Sequence, residues 1–535
     1  MKNIHRFFLL LIVAVAGLSA AGQSSDAVVR DKMTSAVMKV YDEHLAQNPS
    51  DYNVLFARAH QHFYDCDYTA ALADVNQALM LTPKTDKELR FDEYILRARI
   101  SDARMDYAGE LADLRLAQEL QPKSLACTDL IAKANLKIGN LDAAEKAFKT
   151  ILRAESMNYD AMYGMAQVEL ARGNAKAAEN HVTKAVELFR VLPQVYVNRA
   201  DIYARQGNVS AAVQDLLNGM AVGDGGNAVQ QLFDLSDKNY DAVMASLAEI
   251  ADRNGTEAGQ YRYLRANVAM DHCQYSQALE DLLMIKSRRL YDTPNVDYHI
   301  ARCYLEQGRY DEALAQVDQA LARDPSQPEY YIVKSTAEYY SGEGGRFDAA
   351  MDALDRCSMS FPQYVPMLLG KAALLSNQDN DKAALGYLNA AVANDPNDAQ
   401  ALLSRALVLR RLGNDKLAIR DLNTVALMSD DMYDLKGFAM NLLGRDNEAF
   451  KWLNQISSLS MPGGEDYYYA ALFMAQRGDN FRARDFLQKA LDNGFGSVYR
   501  LRDDVLSPLN LSSLRSEPEF ELLLEKAVGR LSSRF

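Results

Sequence analysis

The chain has 535 residues, of which 49% are hydrophobic, 28 are Gly and 13 are Pro. At ~150 residues per domain such a length allows three or four globular domains, unless the chain is a repeat array; proline at roughly half its usual ~5% excludes a Pro-rich or disordered chain. A formal charge of −14 disfavours nucleic acid, whose affinity is carried by Lys and Arg, and alanine-dense runs with few β-branched blocks favour helix.

In chain order the first element is a leader. Lys2 and Arg6 form a basic start, Phe7 to Ala16 an apolar core, and Ser19, Ala20, Ala21 and Gly22 a small-residue cleavage site. This is the pattern of a secretory signal peptide over residues 1–22, and its apolar run is too short to span a bilayer. No cysteine lies at the cleavage point for a lipid anchor, the first being Cys66. The expected location is therefore periplasmic or secreted, with no transmembrane segment after cleavage. Losing Lys2 and Arg6 leaves 56 basic against 72 acidic residues and a charge of −16. Residues 23–50 follow as an N-terminal capping helix, amphipathic over 31–47 and closed by Asn48-Pro49.

From residue 51 onward one unit is written many times. Gly308-Arg309-Tyr310-Asp311-Glu312-Ala313-Leu314, then Ala320, then Asp324-Pro325 repeats the spacing of Asp67-Tyr68-Thr69-Ala70-Ala71-Leu72, Ala78 and Thr82-Pro83. The same turn recurs at Gly139, Gly173, Gly207, Gly413, Gly444 and Gly478. Units start near residues 52, 91, 125, 159, 193, 224, 259, 294, 328, 365, 399, 430 and 464, a step of about 34 residues. The eighth position is small in twelve of them (Ala59, Ala132, Ala166 and Ala266 among them), and the twentieth is Ala in eleven, with Glu110 the odd residue. The unit near 224 carries Gln231 and Val243 instead. Small side chains at two fixed positions let two antiparallel helices cross closely while larger apolar residues interlock around them. The turn Gly or Asn ends the first helix in the left-handed region, and Pro83, Pro122, Pro325, Pro362 and Pro396 stop the second.

This pattern resembles the tetratricopeptide repeat family over roughly residues 52–497. The resemblance implies an all-α fold, a right-handed α-solenoid of about thirteen helix-turn-helix repeats. Residues 51–222 form an N-terminal half, 223–257 a divergent repeat and possible hinge, and 258–497 a C-terminal half. Residues 498–535 form a capping segment, because Leu514-Arg515-Ser516-Glu517-Pro518-Glu519-Phe520 is similar to the closing segment of bacterial arrays of this kind.

Chemistry-bearing patterns are sparse. His60 and His62 point to nearly opposite sides of a helix; His62 and Cys66 share a face but lack further ligands. Gly223-x-Gly225-x-x-Ala228 follows a helix rather than the strand a dinucleotide fingerprint needs. Neither a Walker loop, a Gly-x-Ser-x-Gly elbow nor a His-Glu-x-x-His motif occurs. No catalytic residue, metal or cofactor is assigned, and the chain reads as a binding protein rather than an enzyme. The five cysteines lack motif spacing and read as buried free thiols; Cys273 and Cys303 fall on neighbouring units and are the one pair placed for a bridge instead.

The family lines its concave face with the first helix of each unit. Carried onto this chain, the fifth position reads Phe56, Tyr163, Tyr263, Tyr298 and Tyr468, with Tyr64, Tyr339 and Tyr340 at other inward positions and Asn198, Asn267, Arg302 and Arg410 adding polar groups. Such aromatics give large contact area for little entropy, or pack between neighbouring repeats. Lys and Asn never occur together at the fifth and ninth positions, so the chaperone-tail clamp of one family branch is not implied. The reading is an exported scaffold or adaptor of a bacterial cell envelope that binds a protein or peptide, of unknown identity, on its concave face. The rival is a glycan-binding helical protein of an outer-membrane nutrient uptake system; such proteins carry a lipid anchor and Trp platforms, whereas this chain has Trp452 alone.

Overall fold

A computed structural model describes residues 37–535 except 66, 224–225, 254, 256–257, 343–345, 429–432, 459–462, 498–499, 502–510, 516 and 533–535. The leader expected over residues 1–22 lies outside the described residues. The chain is all-α, with no strand among the described residues, and forms two compact units that divide between Leu235 and Ser236.

In the first unit a helix described over 37–47 precedes five hairpins: α1 (Tyr52–Tyr64) with α2 (Tyr68–Leu81), α3 (Lys87–Ala103) with α4 (Tyr107–Leu120), α5 (Leu125–Lys137) with α6 (Leu141–Ala154), α7 (Tyr159–Ala171) with α8 (Ala175–Leu188), and α9 (Pro193–Arg205) with α10 (Val209–Val222). Helix α11 (Gly226–Arg253) then runs 28 residues, broken at Asn239 (φ −141°, ψ 42°) instead of by a tight turn. The second unit continues with α12 (Ala258–Asp271) and α13 (Tyr275–Arg288), α14 (Pro294–Glu306) and α15 (Tyr310–Arg323), α16 (Pro328–Tyr340) and α17 (Phe347–Ser360), and α18 (Val365–Asn377) and α19 (Asp381–Asn394). Then come α20 (Ala399–Arg411) and α21 (Asp415–Ala426), α22 (Tyr433–Leu442) and α23 (Asp446–Ser458), and α24 (Gly464–Gln476) and α25 (Asn480–Asp492), followed by α26 (Pro518–Ser532).

The turns show why the sequence pairs its helices. Gly139 sits at φ +77°; its N–H donates to the Leu136 carbonyl at 3.1 Å and that of Asn140 to the Asn135 carbonyl at 2.8 Å. This is a Schellman closure, which satisfies the last carbonyls of the first helix. Met105, Cys273 and Asp379 adopt the same left-handed turn without being glycine, at roughly 1–2 kcal/mol each.

The small residues at the eighth and twentieth positions are buried where the helices cross, as with Ala132 and Ala144, or Ala266 and Ala278. Larger residues interlock across hairpins: Phe148 of α6 lies so close over Gly164 of α7 that an added Cβ there would stand 2.2 Å from its ring. Glu110 occupies its crossing position buried, with Lys137 of the next hairpin 3.6 Å away. Burial pushes its carboxyl above the usual range, and the Lys137 charge opposes this.

A second periodic feature is ionic. Arg58–Asp74, Arg97–Asp113, Arg199–Asp215, Arg265–Asp281 and Arg405–Asp421 are all sixteen residues apart, each joining the two helices of one hairpin through paired hydrogen bonds of 2.6–2.8 Å. The five carboxylates are buried, so each guanidinium supplies the fork that makes a buried acid tolerable.

Cys127, Cys273, Cys303 and Cys357 are buried free thiols. The bridge considered for Cys273 and Cys303 is therefore not formed; Cys303 faces into α14 packing while Cys273 sits in the turn after α12. Cys66 lies outside the described residues.

Candidate functional site

Successive first helices touch one another, as α7 does α9 and α16 does α18, so side chains of neighbouring hairpins meet on a common face. In the first unit that face carries Tyr163, half-buried, whose hydroxyl donates to Asp201 of α9 at 2.8 Å. Burial, with Asp201 beside it, pushes the phenol up. Asn198 is buried and accepts from Gln194 at 2.8 Å. Phe56 meets His60 edge-on at 4.7 Å and otherwise packs into the core beside Ala59. Tyr64 is 71% exposed.

The second unit gathers the densest set of expected residues, on α12 and α14. The Tyr263 ring lies parallel to that of His299 at 5.3 Å. Tyr298, itself only 5% exposed, stacks on Tyr330 at 4.8 Å, and the Arg302 guanidinium lies 5.9 Å from the Tyr298 ring. Asn267 donates its amide to the Tyr263 carbonyl at 2.9 Å. Polar atoms in this cluster are left over: Asn267 Oδ1 and both ring nitrogens of His299 are buried without a hydrogen-bond partner, while the Tyr263 hydroxyl lies beside the Asn267 side chain. Arg302 is half-buried beside Tyr298, with Glu306 of the same helix as its nearest opposite charge. Unmet polar groups beside a cation and aromatic faces suit recognition of a polar group.

The remaining expected residues are placed differently. Tyr339 meets Tyr340 edge-on at 5.0 Å. Arg410 donates to the Leu442 carbonyl at 2.6 Å. Tyr468 is 1% exposed, because Phe495 stacks on it at 4.3 Å and its hydroxyl donates to the Arg500 carbonyl at 3.0 Å. Its ring is covered by its own chain.

Two members were missed in the sequence. His299 is fully buried and adjoins Tyr298 in the chain, but a single histidine without metal spacing carries no signal in the sequence. Tyr330 sits at the third position of its unit, off the inward positions considered. Burial holds the His299 imidazole well below its ordinary value, and the Arg302 charge adds to the effect. The folded protein therefore keeps this ring neutral while the unfolded chain protonates it near pH 6.5. Below that pH the unfolded state binds the extra proton, and stability falls by up to about 1.4 kcal/mol per pH unit. Urea unfolding at pH 7.5 and 5.5 should show a smaller acid loss for His299→Phe than for the wild type. Equal losses would mean that the ring accepts a proton in place.

Among the described residues Asp237, Asp271 and His272 offer three metal-type donor atoms within 4.8 Å of one another. The His272 Nε2 also lies 3.0 Å from the Ser236 hydroxyl and 3.7 Å from Asp237 Oδ1. His272 thus faces α11, not the neighbouring Cys273, and its ring also meets that of Tyr240 at 4.6 Å. No helix among the described residues is long and apolar enough to cross a membrane.

Tetratricopeptide repeat models match residues 292–335, and 130–193, 163–228 and 367–433. The chain is 26% identical over 270 residues to DnaJ homolog subfamily C member 3 of Gallus gallus, covering 45% of this chain and 53% of that protein. The Rattus norvegicus protein of the same description is 26% identical over 214 residues, 36% of this chain and 42% of that one. The chain thus spans about half the length of the curated relatives it matches. Among solved structures, yeast Tom70 covers 76% of this chain and 97% of its own at 16% identity and a TM-score of 0.35. The Cut9 and Hcn1 assembly of the APC/C matches with 17% identity, 90% of this chain, 98% of that chain and a TM-score of 0.31. A tetratricopeptide repeat protein from Parabacteroides merdae matches with 15% identity, 46% of this chain, 99% of that chain and a TM-score of 0.24.

Proposed function

We propose that this chain, which carries tetratricopeptide repeats, is an exported scaffold or adaptor of the bacterial cell envelope that holds other proteins. Its binding face is the first-helix face of the second unit, where Tyr263, Tyr298, Asn267 and Arg302 converge. The observation that carries this reading is the set of buried polar atoms left unpaired there, since a folded chain seldom leaves such groups unmet without a use. A preformed face of rigid helices also limits the ordering cost of association. Export rests on the basic and apolar leader of residues 1–22, and the acidic net charge of −14 favours a basic or mixed partner over anionic lipid or nucleic acid.

The test is capture from envelope extract with the wild-type chain, with Tyr263→Ala/Tyr298→Ala and with Tyr163→Ala. Loss of a captured protein in the double variant alone is the expected result. Unchanged capture would overturn the assignment of this face, and binding to a polysaccharide panel with no protein captured would replace it with a glycan. Fractionation of cells expressing the full chain and a chain lacking residues 1–22 tests export separately; retention of both in the cytoplasm would sink it.

A further inference from the structure

The second unit does not simply end after its last hairpin. Gly494 to Ser497 run back onto α12–α14, about 200 residues earlier in the chain. Gln274, in the turn after α12, donates its side-chain amide to the Gly494 carbonyl at 3.0 Å across a separation of 220 residues. The Ser497 hydroxyl donates to Glu306 at the end of α14, 191 residues away. Phe495, Gly496 and Ser497 are all buried.

The fit is specific at two glycines. Gly494 adopts φ +90°, and an added Cβ would stand 2.4 Å from Gln274 Nε2. An added Cβ at Gly496 would stand 2.5 Å from the Cys273 carbonyl oxygen. Backbone therefore touches backbone there, which only glycine permits.

The near end of the segment is anchored on the last hairpin. Phe495 stacks on Tyr468 at 4.3 Å. The Arg500 guanidinium pairs with Glu465 at 2.6 Å and lies over the Tyr468 ring at 4.6 Å. The far end reaches the candidate face, since Glu306 lies four residues beyond Arg302 on α14 and shares its side of the helix.

We propose that Gly494–Ser497, clamped by Arg500, is a strap that closes the second unit on itself and competes with the partner for the face between α12 and α14. This rests on the assignment of that face to partner binding. With the strap docked, Glu306 and the turn at Cys273–Tyr275 are occupied by the chain itself. A partner that engages Tyr263, Tyr298 and Arg302 over an extended surface displaces the strap to do so. The strap's own chemistry, glycine-flanked phenylalanine followed by arginine, indicates the kind of segment this surface accepts.

The test uses the full chain and a probe made from it, a labelled synthetic peptide of residues 493–502. Glu306→Cys/Ser497→Cys locks the strap by an oxidised bridge at a pair that already meets side chain to side chain, and Gly496→Val forces it off. Peptide mapping after mild oxidation should find residue 497 joined to 306 within one chain, and absence of that bridge would overturn docking. Fluorescence anisotropy should show the peptide binding Gly496→Val at least tenfold more tightly than the oxidised, locked chain. Equal binding to both would overturn competition. If Gly496→Val does not fold, comparison of the locked chain with the same chain reduced decides the point. Envelope capture by the locked and reduced forms then separates the two proposals: equal capture that still depends on Tyr263 and Tyr298 removes the strap's role and leaves the binding face standing.

Discussion

Asp281→Ala should lower the stability of the second unit by about 3–5 kcal/mol. Asp281 is 1% exposed and takes both prongs of Arg265 at 2.6 Å, with Arg262 at 3.3 Å. Removing the carboxylate leaves the Arg265 guanidinium facing inward without the acid that offsets its desolvation, while Arg262 keeps Asp252 at 2.5 Å. The cost comes from that stranded charge more than from the lost attraction, since a buried pair is often no better than a well-packed apolar one. The double variant Arg265→Met/Asp281→Leu should therefore recover much of the loss. Urea unfolding followed by circular dichroism checks both. A single variant within 1 kcal/mol of wild type, or a double variant worse than the single, would show that the pair is not the determinant its geometry implies.

Phe148→Ala should cost the first unit about 3–5 kcal/mol, the usual range for emptying a fully buried phenylalanine site. Phe148 is fully buried at the centre of a cluster with Ala132, Ala161 and Val168, and Gly164 on the next hairpin is the hollow that receives its ring. The coupling between the two is sharper than the magnitude. Gly164→Ala in the wild type forces a methyl into an aromatic ring and destabilises by roughly 1–3 kcal/mol. In the Phe148→Ala background the same change meets open space and gains helix propensity, worth up to about 1 kcal/mol. Its sign should reverse. The same sign in both backgrounds would mean that the ring moves aside freely and that the hairpins are not interlocked at this point.

The fold was legible because its signals are local and repeated. Ala at two fixed positions marks the helix crossings, and Gly at the turn marks a left-handed closure that the backbone adopts at Gly139 and its equivalents. The Arg–Asp pairs are periodic too, sixteen residues apart in five hairpins, but a charged residue at helical spacing looks the same in sequence whether it is solvated or paired inside. The site was legible only in part. Tyr263 and Tyr298 share a position on α12 and α14, so periodicity brought them onto one face together. Tyr468 occupies the same position on α24, yet its ring is covered by Phe495, because no repeat pattern foretells where a segment outside the repeats will lie. The strap is invisible to periodicity for the same reason: its partners at Gln274 and Glu306 are 220 and 191 residues away. The kinked α11 shows the converse. The sequence marked 223–257 as divergent, but a turn replaced by a break at Asn239 depends on backbone geometry that composition does not encode.

The four buried thiols carry a chemical consequence. Burial pushes Cys127 up to about 11 and Cys357 up to about 12, and Cys273 is also driven up by burial. Disulfide exchange proceeds through the thiolate, and at neutral pH a thiol of that acidity holds roughly one part in ten thousand of it. Packing itself therefore slows oxidation of these four sulfurs in the folded chain, and their exposure to cross-linking falls in the interval before it folds.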